Sequence, residues 1–271
     1  MKYCFTAAAL LLASASTSYA ASSDFSQCRQ MFANSLVPAT HSQAMAPRAL
    51  CYDSFAILYS GKSRTPIYVA ERLNKAQLKT KITRTNRFFA DARLPRAERA
   101  ELDDYKNSGL DRGHMAPAGD MATDESMAQS FSLANMVPQS VVANRHAWAN
   151  IEKATRKYVM RAAGDVFVIT GPVFEPNPPT IGANRVWVPQ HLFKLVYDPS
   201  TGRAWAHWLD NTDEARVGKP ISYAELVQRT GIEFFPGSSM AAALSLSTSS
   251  GVTRARISPW LNQSPGNSLS A

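Results

Sequence analysis

Runs of hydrophobic residues predict several strands in the first and middle parts of the chain. Alternating or continuous apolar runs predict strands over 54–59, 66–72, 166–170, 186–188, 192–197 and 204–209. Turn-forming residues at 61–65 join the first two strands, and those at 198–202 join the last two, so both pairs are expected to form β-hairpins. We expect the run at 166–170 to be a central strand that ends at Gly171 and Pro172.

Helical patterns are fewer and do not alternate strictly with the strands. The best one covers 144–162, where apolar residues are spaced among polar ones without proline and Gly164 follows as a stop. A shorter helix is predicted over 221–230, closed by Gly231, and another over 25–34. The rest of 21–50 is expected to be irregular, and 73–110 to be a long basic loop that includes one short helix. This arrangement favours an α+β fold.

The first twenty residues have the features of a secretory signal peptide. Lys2 precedes a short apolar stretch at 5–13, and small residues follow at 18–20. The alternative is an uncleaved N-terminal anchor. Cys4 lies before the apolar stretch, which argues against lipid attachment at a cleavage site. We therefore expect export to the periplasm or secretion, with no membrane anchor in the mature chain.

Cysteine content and composition predict how the chain after residue 20 is organised. The exported part would keep Cys28 and Cys51, and an oxidising compartment favours a disulfide between them over two buried thiols. Residues 21–236 are expected to form one domain. Residues 237–271 are rich in Ser and Ala with little periodicity, so we expect a weakly ordered tail.

Charge and composition narrow the class of protein. Hydrophobic residues make up 45% of the chain, which is enough for a folded core, and a single apolar run near membrane length excludes a polytopic membrane protein. The net charge of +8 favours polyanionic partners such as nucleic acid, acidic glycans or anionic lipid.

The most informative stretch reads Asp-Arg-Gly-His-Met-Ala-Pro at 111–117. Asn144 follows His114 by thirty positions at the start of the predicted long helix, and Glu152 follows Asn144 by eight. In a regular α-helix those eight positions place Glu152 about 80° round the axis and about 12 Å along it. Both side chains can then face one cleft, where one could bind a hydrated cation directly while the other holds its waters.

These residues resemble the DNA/RNA non-specific endonucleases. The segment Phe-Ser-Leu-Ala-Asn-Met-Val-Pro-Gln at 131–139, the Asn144-x-x-x-Trp148 pair followed by Glu152, and Val-Ile-Thr-Gly-Pro-Val-Phe at 168–174 are similar to the family's motifs and occur in its order. The matches run from about residue 60 to 236. The resemblance implies a ββα-metal (His-Me finger) fold, with a central, mostly antiparallel sheet, flanking helices and long loops. It also implies cleavage of DNA and RNA with little sequence specificity.

The resemblance also implies roles for individual residues. His114 matches the general base, Asn144 the direct ligand of Mg²⁺ (which Mn²⁺ can replace), and Glu152 the residue that orients metal-bound water. Arg112 matches the motif's arginine, and the segment 83–87 is similar to one that bears a phosphate-contacting arginine. Arg84 is preferred there, with Arg87 left open. Asn135 matches a polar residue near the site.

The residue types by themselves suit this chemistry. A histidine titrates near neutrality and can take a proton from water. Mg²⁺ keeps several waters and needs only one or two protein oxygens besides the substrate phosphate, which an amide and a carboxylate can supply. A guanidinium fork holds phosphate oxygens.

Plainer interpretations stand beside each functional one. His114 could be a core histidine, Asn144 a helix N-cap, and Glu152 a solvated helix residue. Asp111 is expected to hydrogen-bond the turn before His114, and Trp148 to pack under the site. Histidines without a partner pattern are interpreted as structural, namely His41, His146, His191 and His207.

Two other functions compete with an exported nuclease. One is a catalytically idle nucleic-acid-binding protein on the same fold, against which the complete set of His114, Asn144 and Glu152 argues. The other is an esterase, for which no G-x-S-x-G motif is present. The sequence leaves open the biological role, a homodimer or a monomer, and an inhibitor protein as partner.

Overall fold

The computed structural model of the chain describes residues 24–38 and 43–236. The predicted signal peptide at 1–20, the predicted tail at 237–271 and His41 therefore lie outside the described residues. The strands are β1 (Pro47–Cys51), β2 (Phe55–Ser60), β3 (Thr65–Leu73), β4 (Leu110–His114), β5 (Met136–Ser140), β6 (Val166–Val173), β7 (Thr180–Ile181), β8 (Val186–Trp187), β9 (His191–Asp198), β10 (Arg203–Asp210) and β11 (Ile221–Ser222).

The α-helices are short and lie between and after the strands. They are α1 (Lys75–Lys79), α2 (Leu102–Tyr105), α3 (Asp124–Ser130), α4 (Ala149–Val159) and α5 (Tyr223–Thr230). A π-helical segment, Ala143–Trp148, leads directly into α4. In the described part of the chain, no helix has the length and hydrophobicity required to cross a bilayer.

Seven strands form one sheet in the order β1-β2-β3-β6-β9-β10-β11, and every neighbouring pair is antiparallel. The two predicted hairpins are confirmed as β2–β3 and β9–β10, and β6 is the middle strand as its continuous apolar run predicted. The α+β class and the antiparallel central sheet are therefore confirmed.

The two faces of this sheet bury different parts of the chain. Alternate residues of β3 point to opposite faces, so Tyr68 packs with the N-terminal segment and α5, while Val69 packs with the region around α4. On the second face, β4 pairs antiparallel with β5, and the π-helical segment follows. This β4–β5–α4 unit carries the sequence motif.

The prediction of a helix over 25–34 and irregular chain to residue 50 is wrong. Short 3₁₀ turns at Arg29–Met31 and Ala33–Ser35 are separated by extended Phe32, and Asn34 has a positive φ of 53°. Packing of the apolar side chains against the sheet and the Cys28–Cys51 disulfide fix this path. The chain at 47–51 is the edge strand β1, whose first residue is a proline, a position that strands tolerate.

The predicted end of the central strand at Gly171 and Pro172 is also wrong, because β6 continues to Val173. Beyond Thr170 the strand pairs with β9 alone, since its pairing with β3 covers Val166 to Thr170. Pro172 therefore removes no ladder hydrogen bond to β3. A Cβ on Gly171 would lie 2.6 Å from the backbone oxygen of Ile67, so the close approach there requires glycine.

Three other helix predictions need smaller corrections. The basic segment 73–110 contains two short α-helices, α1 and α2, where one was predicted. The long helix exists, but Ala143–Trp148 is π-helical, so the 80° angle for a regular helix does not apply between Asn144 and Glu152. The segment at 221–230 begins as strand β11, and its helix starts at Tyr223 after Ser222, whose side chain accepts from the Glu225 amide at 3.1 Å. Gly231 ends it with a φ of 69°, as predicted.

Candidate active site

Strand pairing places the Asp-Arg-Gly-His motif beside the Pro-Gln motif. In the β4–β5 ladder Asp111 lies opposite Gln139 and Gly113 opposite Val137. A Cβ on Gly113 would lie 2.1 Å from Gln139 Oε1, so the glycine makes room for this buried amide. Both polar atoms of the Gln139 side chain are buried without a hydrogen-bond partner among the described residues. Such an orphaned amide needs a polar partner such as water or a ligand.

His114 ends β4 and is 8% exposed. Its ring meets the ring of Phe131 edge-on at 5.0 Å and lies 5.9 Å from that of Phe88. The indole nitrogen of Trp148 donates to the His114 carbonyl oxygen at 3.4 Å, so Trp148 packs under the site as expected. His114 Nε2 is buried and has no hydrogen-bond partner in the described region.

The surroundings of His114 keep its imidazole neutral. Burial lowers the pKa of His114 to about 3, and the positive charge of Arg84 adds to the effect. A neutral imidazole has one ring nitrogen that accepts a proton. The residue can therefore serve as a base at neutral pH.

Asn144 is held by Asp111 across the β4–α4 unit. Its amide nitrogen donates to Asp111 Oδ2 at 2.9 Å, and Arg145 donates to both oxygens of the same carboxylate at 2.9 Å. The interpretation of Asn144 as a plain N-cap is wrong, because it lies inside the π-helical segment that begins at Ala143. The expectation that Asp111 bonds a turn before His114 is also wrong, because Asp111 lies in a strand and contacts the helix.

The hydrogen bond between Asn144 and Asp111 fixes which end of the Asn144 amide is available to a cation. A carboxylate accepts hydrogen bonds and cannot donate them, so the amide nitrogen must face Asp111 and Oδ1 points elsewhere. In the described residues no three His, Cys, Asp or Glu side chains cluster in a way that could hold a metal ion. A divalent cation at Asn144 would therefore take most of its ligands from water and substrate, an arrangement that Mg²⁺ favours. The residues fit such an ion.

Glu152 borders a group of buried charges on the second face of the sheet. Glu71, Asp120 and Lys194 are each at most 3% exposed. Arg156 donates to Asp120 at 2.8 Å. Burial raises the pKa of Glu152 to about 7; Lys194 opposes the rise and Asp120 adds to it. Burial also raises the pKa of Glu71 well above its usual range. Burial thus dominates the protonation of Glu152, and the surrounding charges adjust it in opposite directions.

Two arginines from different segments stack on the aromatic rings around His114. The Arg112 guanidinium lies 4.2 Å from the Phe88 ring and lines a surface cavity of about 440 Å³. The Arg84 guanidinium lies 4.9 Å from the Phe131 ring, and its charge acts on His114 and Glu152. Arg84, which the sequence preferred, therefore lies beside the ring that packs against His114. Both stacked cations can meet a phosphate.

The loop that carries Arg84 and Phe88 is anchored at Asp91. The Asp91 carboxylate accepts hydrogen bonds from Tyr52 and Arg93, and the backbone of Phe89 bonds to Phe131 and Leu133 at 3.2 and 2.8 Å. Asp91 is 4% exposed, so this anchor is internal. It fixes a long basic loop against the site.

Asn135 stabilises the chain just after His114. Its side chain accepts from the Ala116 amide and donates to the carbonyl oxygens of Ala116 and Ser130, each at 2.9 Å. Its role in the structure is therefore to hold the backbone next to His114, consistent with its expected place near the site.

Sequence reasoning missed several neighbours of the site. Phe88 could have been suspected because it directly follows the arginine segment, and Arg156 because it follows Glu152 by four positions on one helix. Lys194 was missed because it lies within a predicted strand, between apolar neighbours that carry no motif. His146 is exposed and lines a separate surface cavity of about 500 Å³, together with Val142 and Val217.

Comparison with known proteins gives consistent matches over most of the chain. A sequence profile described as DNA/RNA non-specific endonuclease matches residues 34–241. The chain is 37% identical over 169 residues to Nuclease C1 of Cunninghamella echinulata var. echinulata, covering 57% of this chain and 67% of the relative. It is 32% identical over 207 residues to mitochondrial nuclease EXOG of Danio rerio, covering 68% and 60%.

Two further matches extend the comparison. Human mitochondrial endonuclease G is 33% identical over 162 residues, covering 55% of this chain and 54% of the relative. The chain thus spans 54% to 67% of the length of these three relatives. A crystal structure of the EndoG/EndoGI complex, which describes the mechanism of EndoG inhibition, is similar in fold. It aligns with a TM-score of 0.63 and 25% sequence identity, and the alignment covers 69% of this chain and 85% of the matched chain.

Proposed function

Because the chain belongs to the DNA/RNA non-specific endonuclease family, we propose that it is an exported, Mg²⁺-dependent endonuclease. It hydrolyses phosphodiester bonds in DNA and RNA with little sequence specificity. The observation that carries this proposal is the buried, unpartnered Nε2 of His114, on a strand whose Asp111 orients the Asn144 amide. A base and an oxygen ligand on one small β4–β5–α4 unit are what phosphodiester hydrolysis requires.

His114 acts as the general base. Its pKa of about 3 keeps the imidazole neutral, so Nε2 can accept a proton from the attacking water. Burial alone would make it a weak base. A phosphate anion bound nearby favours the imidazolium and raises the proton affinity when substrate is present.

Asn144 and Glu152 provide the cation site. Asn144 Oδ1 would bind Mg²⁺ directly, and the Glu152 carboxylate would accept hydrogen bonds from the waters of the ion; Mn²⁺ could replace Mg²⁺. When bound there, the cation would supply positive charge that neutralises the negative charge developing on the phosphate. Asp111 keeps the Asn144 oxygen directed away from β4, so the ligand is oriented before the cation arrives.

Arg84 and Arg112 hold the substrate through its phosphate oxygens. Each is stacked on a phenylalanine ring, which limits its motion. Arg84 Nε donates to Asn86 Oδ1 at 2.6 Å, and its two terminal guanidinium nitrogens remain available as donors to phosphate. Contacts to phosphates carry no base information, which accounts for cleavage with little sequence preference.

Export and an inhibitor protein belong to the same proposal. The sequence at 1–20 has signal-peptide features, and the Cys28–Cys51 disulfide suits the periplasm or the extracellular space. The structural relative named above is a complex of a nuclease with its inhibitor, so a protein that covers the site of this chain is a further expected partner.

The test is incubation of the purified chain with supercoiled plasmid DNA and with RNA. We expect degradation of both in millimolar-scale Mg²⁺ or Mn²⁺, loss of activity in excess EDTA, and recovery when Mg²⁺ is restored in excess. Binding of both polymers without cleavage at any cation concentration would favour the idle binding protein instead. Full activity in excess EDTA would contradict the cation site.

A further inference from the structure

Helix α4 presents a row of cations on the side opposite its buried face. Ile151, Thr155 and Val159 are buried in the core. Lys153 and Lys157 are exposed and four positions apart, and Arg161 continues the row in the turn after the helix. Residues four apart lie on one face of a helix, so the row forms a single stripe.

A second pair of cations lies on α1, which is packed close to α4. Lys75 and Lys79 are exposed, while Leu78 is buried in the same hydrophobic cluster as Val159 of α4. Asp120 links the two helices. Its side chain accepts from Arg156 of α4 at 2.8 Å, and its backbone oxygen accepts from Gln77 of α1 at 3.2 Å.

These five cations form what we term the α1–α4 basic surface: Lys75, Lys79, Lys153, Lys157 and Arg161. None of them forms an ion pair or hydrogen bond through its side chain within the described residues. Helix α1 contains no acidic residue, and α4 contains only Glu152. The nearby Asp165 accepts a hydrogen bond from Asn74 and lies 3.7 Å from Arg72, a cation outside this set. The surface therefore carries an excess of positive charge, which attracts polyanions.

We infer that the α1–α4 basic surface binds the phosphate backbone of a polynucleotide beyond the cleavage point, so that efficient cleavage requires a long substrate. This inference rests on the proposed function and extends it. Lys153 directly follows Glu152, so this end of the stripe lies only about 1.5 Å along the helix axis from the residue proposed to hold the cation's waters. Lys153 and Lys157 are about 6 Å apart along the helix, close to two nucleotide steps at about 3.4 Å each.

The experiment compares a surface variant with a charge-matched control. The surface variant is Lys153→Gln/Lys157→Gln/Arg161→Gln. The control is Arg29→Gln/Arg96→Gln/Lys219→Gln, three exposed cations outside the α1–α4 basic surface. Arg29 belongs to the N-terminal segment on the other face of the sheet. Both variants change exposed side chains and remove the same net charge.

For each protein, kcat/KM is measured over a series of NaCl concentrations on a long linear duplex DNA and on a tetranucleotide. We expect the surface variant to lose about tenfold on the long duplex at physiological salt, and less than about twofold on the tetranucleotide. The slope of log kcat/KM against log salt should fall by about 2 to 3 for the long duplex, because each lost phosphate contact removes about 0.9. The control variant should keep kcat/KM on the long duplex and on the tetranucleotide within about twofold of the wild type.

Equal losses on both substrates, an unchanged salt slope, or the same losses in the control would overturn the inference. If the wild-type chain cleaves neither substrate, the proposed function fails. In that case, binding of a labelled duplex, measured by fluorescence anisotropy in EDTA, still tests whether the α1–α4 basic surface binds the phosphate backbone. A smaller salt slope of binding in the surface variant than in the control supports it, and equal slopes reject it.

Discussion

The amide nitrogen of Asn144 donates a 2.9 Å hydrogen bond to Asp111 Oδ2, across 33 positions of sequence. Asp111 belongs to the strand that carries His114, and Asn144 belongs to the helix that carries Glu152. One hydrogen bond therefore aligns the strand that provides the proposed base with the helix that provides the proposed cation ligand.

Replacing Asp111 by Ala should weaken cation binding through Asn144. Without the carboxylate, the Asn144 amide can rotate and is no longer held with its oxygen toward the cation. We expect the Mg²⁺ concentration for half-maximal plasmid cleavage to rise by about tenfold or more. Arg145→Gln is the matched control, because it removes the other partner of Asp111 and keeps the bond to Asn144. A similar rise in both variants would reject the orienting role.

Replacing Asn144, the proposed direct ligand, should reduce cleavage more than replacing Glu152, which is proposed to act through water. Asn144→Ala should nearly abolish cleavage at any Mg²⁺ concentration. Glu152→Ala should retain more activity, because water can rearrange around an intact Asn144. Rates of plasmid nicking at increasing Mg²⁺ test this order. A Glu152 variant worse than the Asn144 variant would contradict the model of one hydrated cation.

Replacing His114 by Ala should lower cleavage by about 10² to 10⁴-fold or more, the range of a general base. DNA binding should survive, because phosphate contacts by Arg84 and Arg112 remain. Binding is measured by anisotropy in EDTA and cleavage by plasmid nicking. Near-wild-type cleavage by this variant would show that another group takes the proton.

Gly113→Ala should destabilise the fold and disturb the site. Its Cβ would lie 2.1 Å from Gln139 Oε1 and 2.8 Å from Gln139 Cβ, so the buried amide must move. Overpacking of this kind costs about 1–3 kcal/mol, measurable by urea unfolding. Gly164→Ala is the control, since no atom lies within 4 Å of its Cβ position. If Gln139 causes the clash, Gln139→Ala in the Gly113→Ala background should recover part of the loss.

Asp91 should make the fold sensitive to acid. Burial alone would raise its pKa, but hydrogen bonds from Arg93 and Tyr52 and the charge of Arg93 outweigh burial and lower the pKa of Asp91 below its usual value. A carboxyl group whose pKa is lower in the folded state stabilises the fold above its unfolded pKa of about 4, and this stabilisation is lost as the pH falls through the folded value.

Urea unfolding between neutral pH and pH 3 measures this effect. Asp91→Asn should lower the free energy of unfolding at neutral pH by about 2–3 kcal/mol, because it leaves Arg93 without its charged partner. Asp91→Asn should also make the decrease in the free energy of unfolding below pH 5 less steep. Exposed Asp53→Asn serves as the control. An unchanged acid dependence in the Asp91 variant would show that other carboxyl groups govern it.

Local patterns in the sequence predicted the parts of this protein whose structure depends on near neighbours. The two hairpins, the central strand at β6, the helix after Asn144 and the stop at Gly231 follow from apolar periodicity and turn chemistry within a few residues. The order of the motifs identified the family, because each motif is a contiguous run of residues. Edge strand β1 and the continuation of β6 through Pro172 escaped prediction, because both depend on which strand lies alongside.

The sequence by itself determined the chemical groups of the proposed site, namely His114, Asn144, Glu152 and the arginines. Only the tertiary structure decided how they act on one another. The pairing of β4 with β5 buried His114 against Phe131, the Asp111 contact fixed the orientation of Asn144, and Lys194 from β9 came to lie among the acids near Glu152. Burial and charge at a residue depend on neighbours that are tens of positions away in sequence, so pairing and packing must exist before either is set.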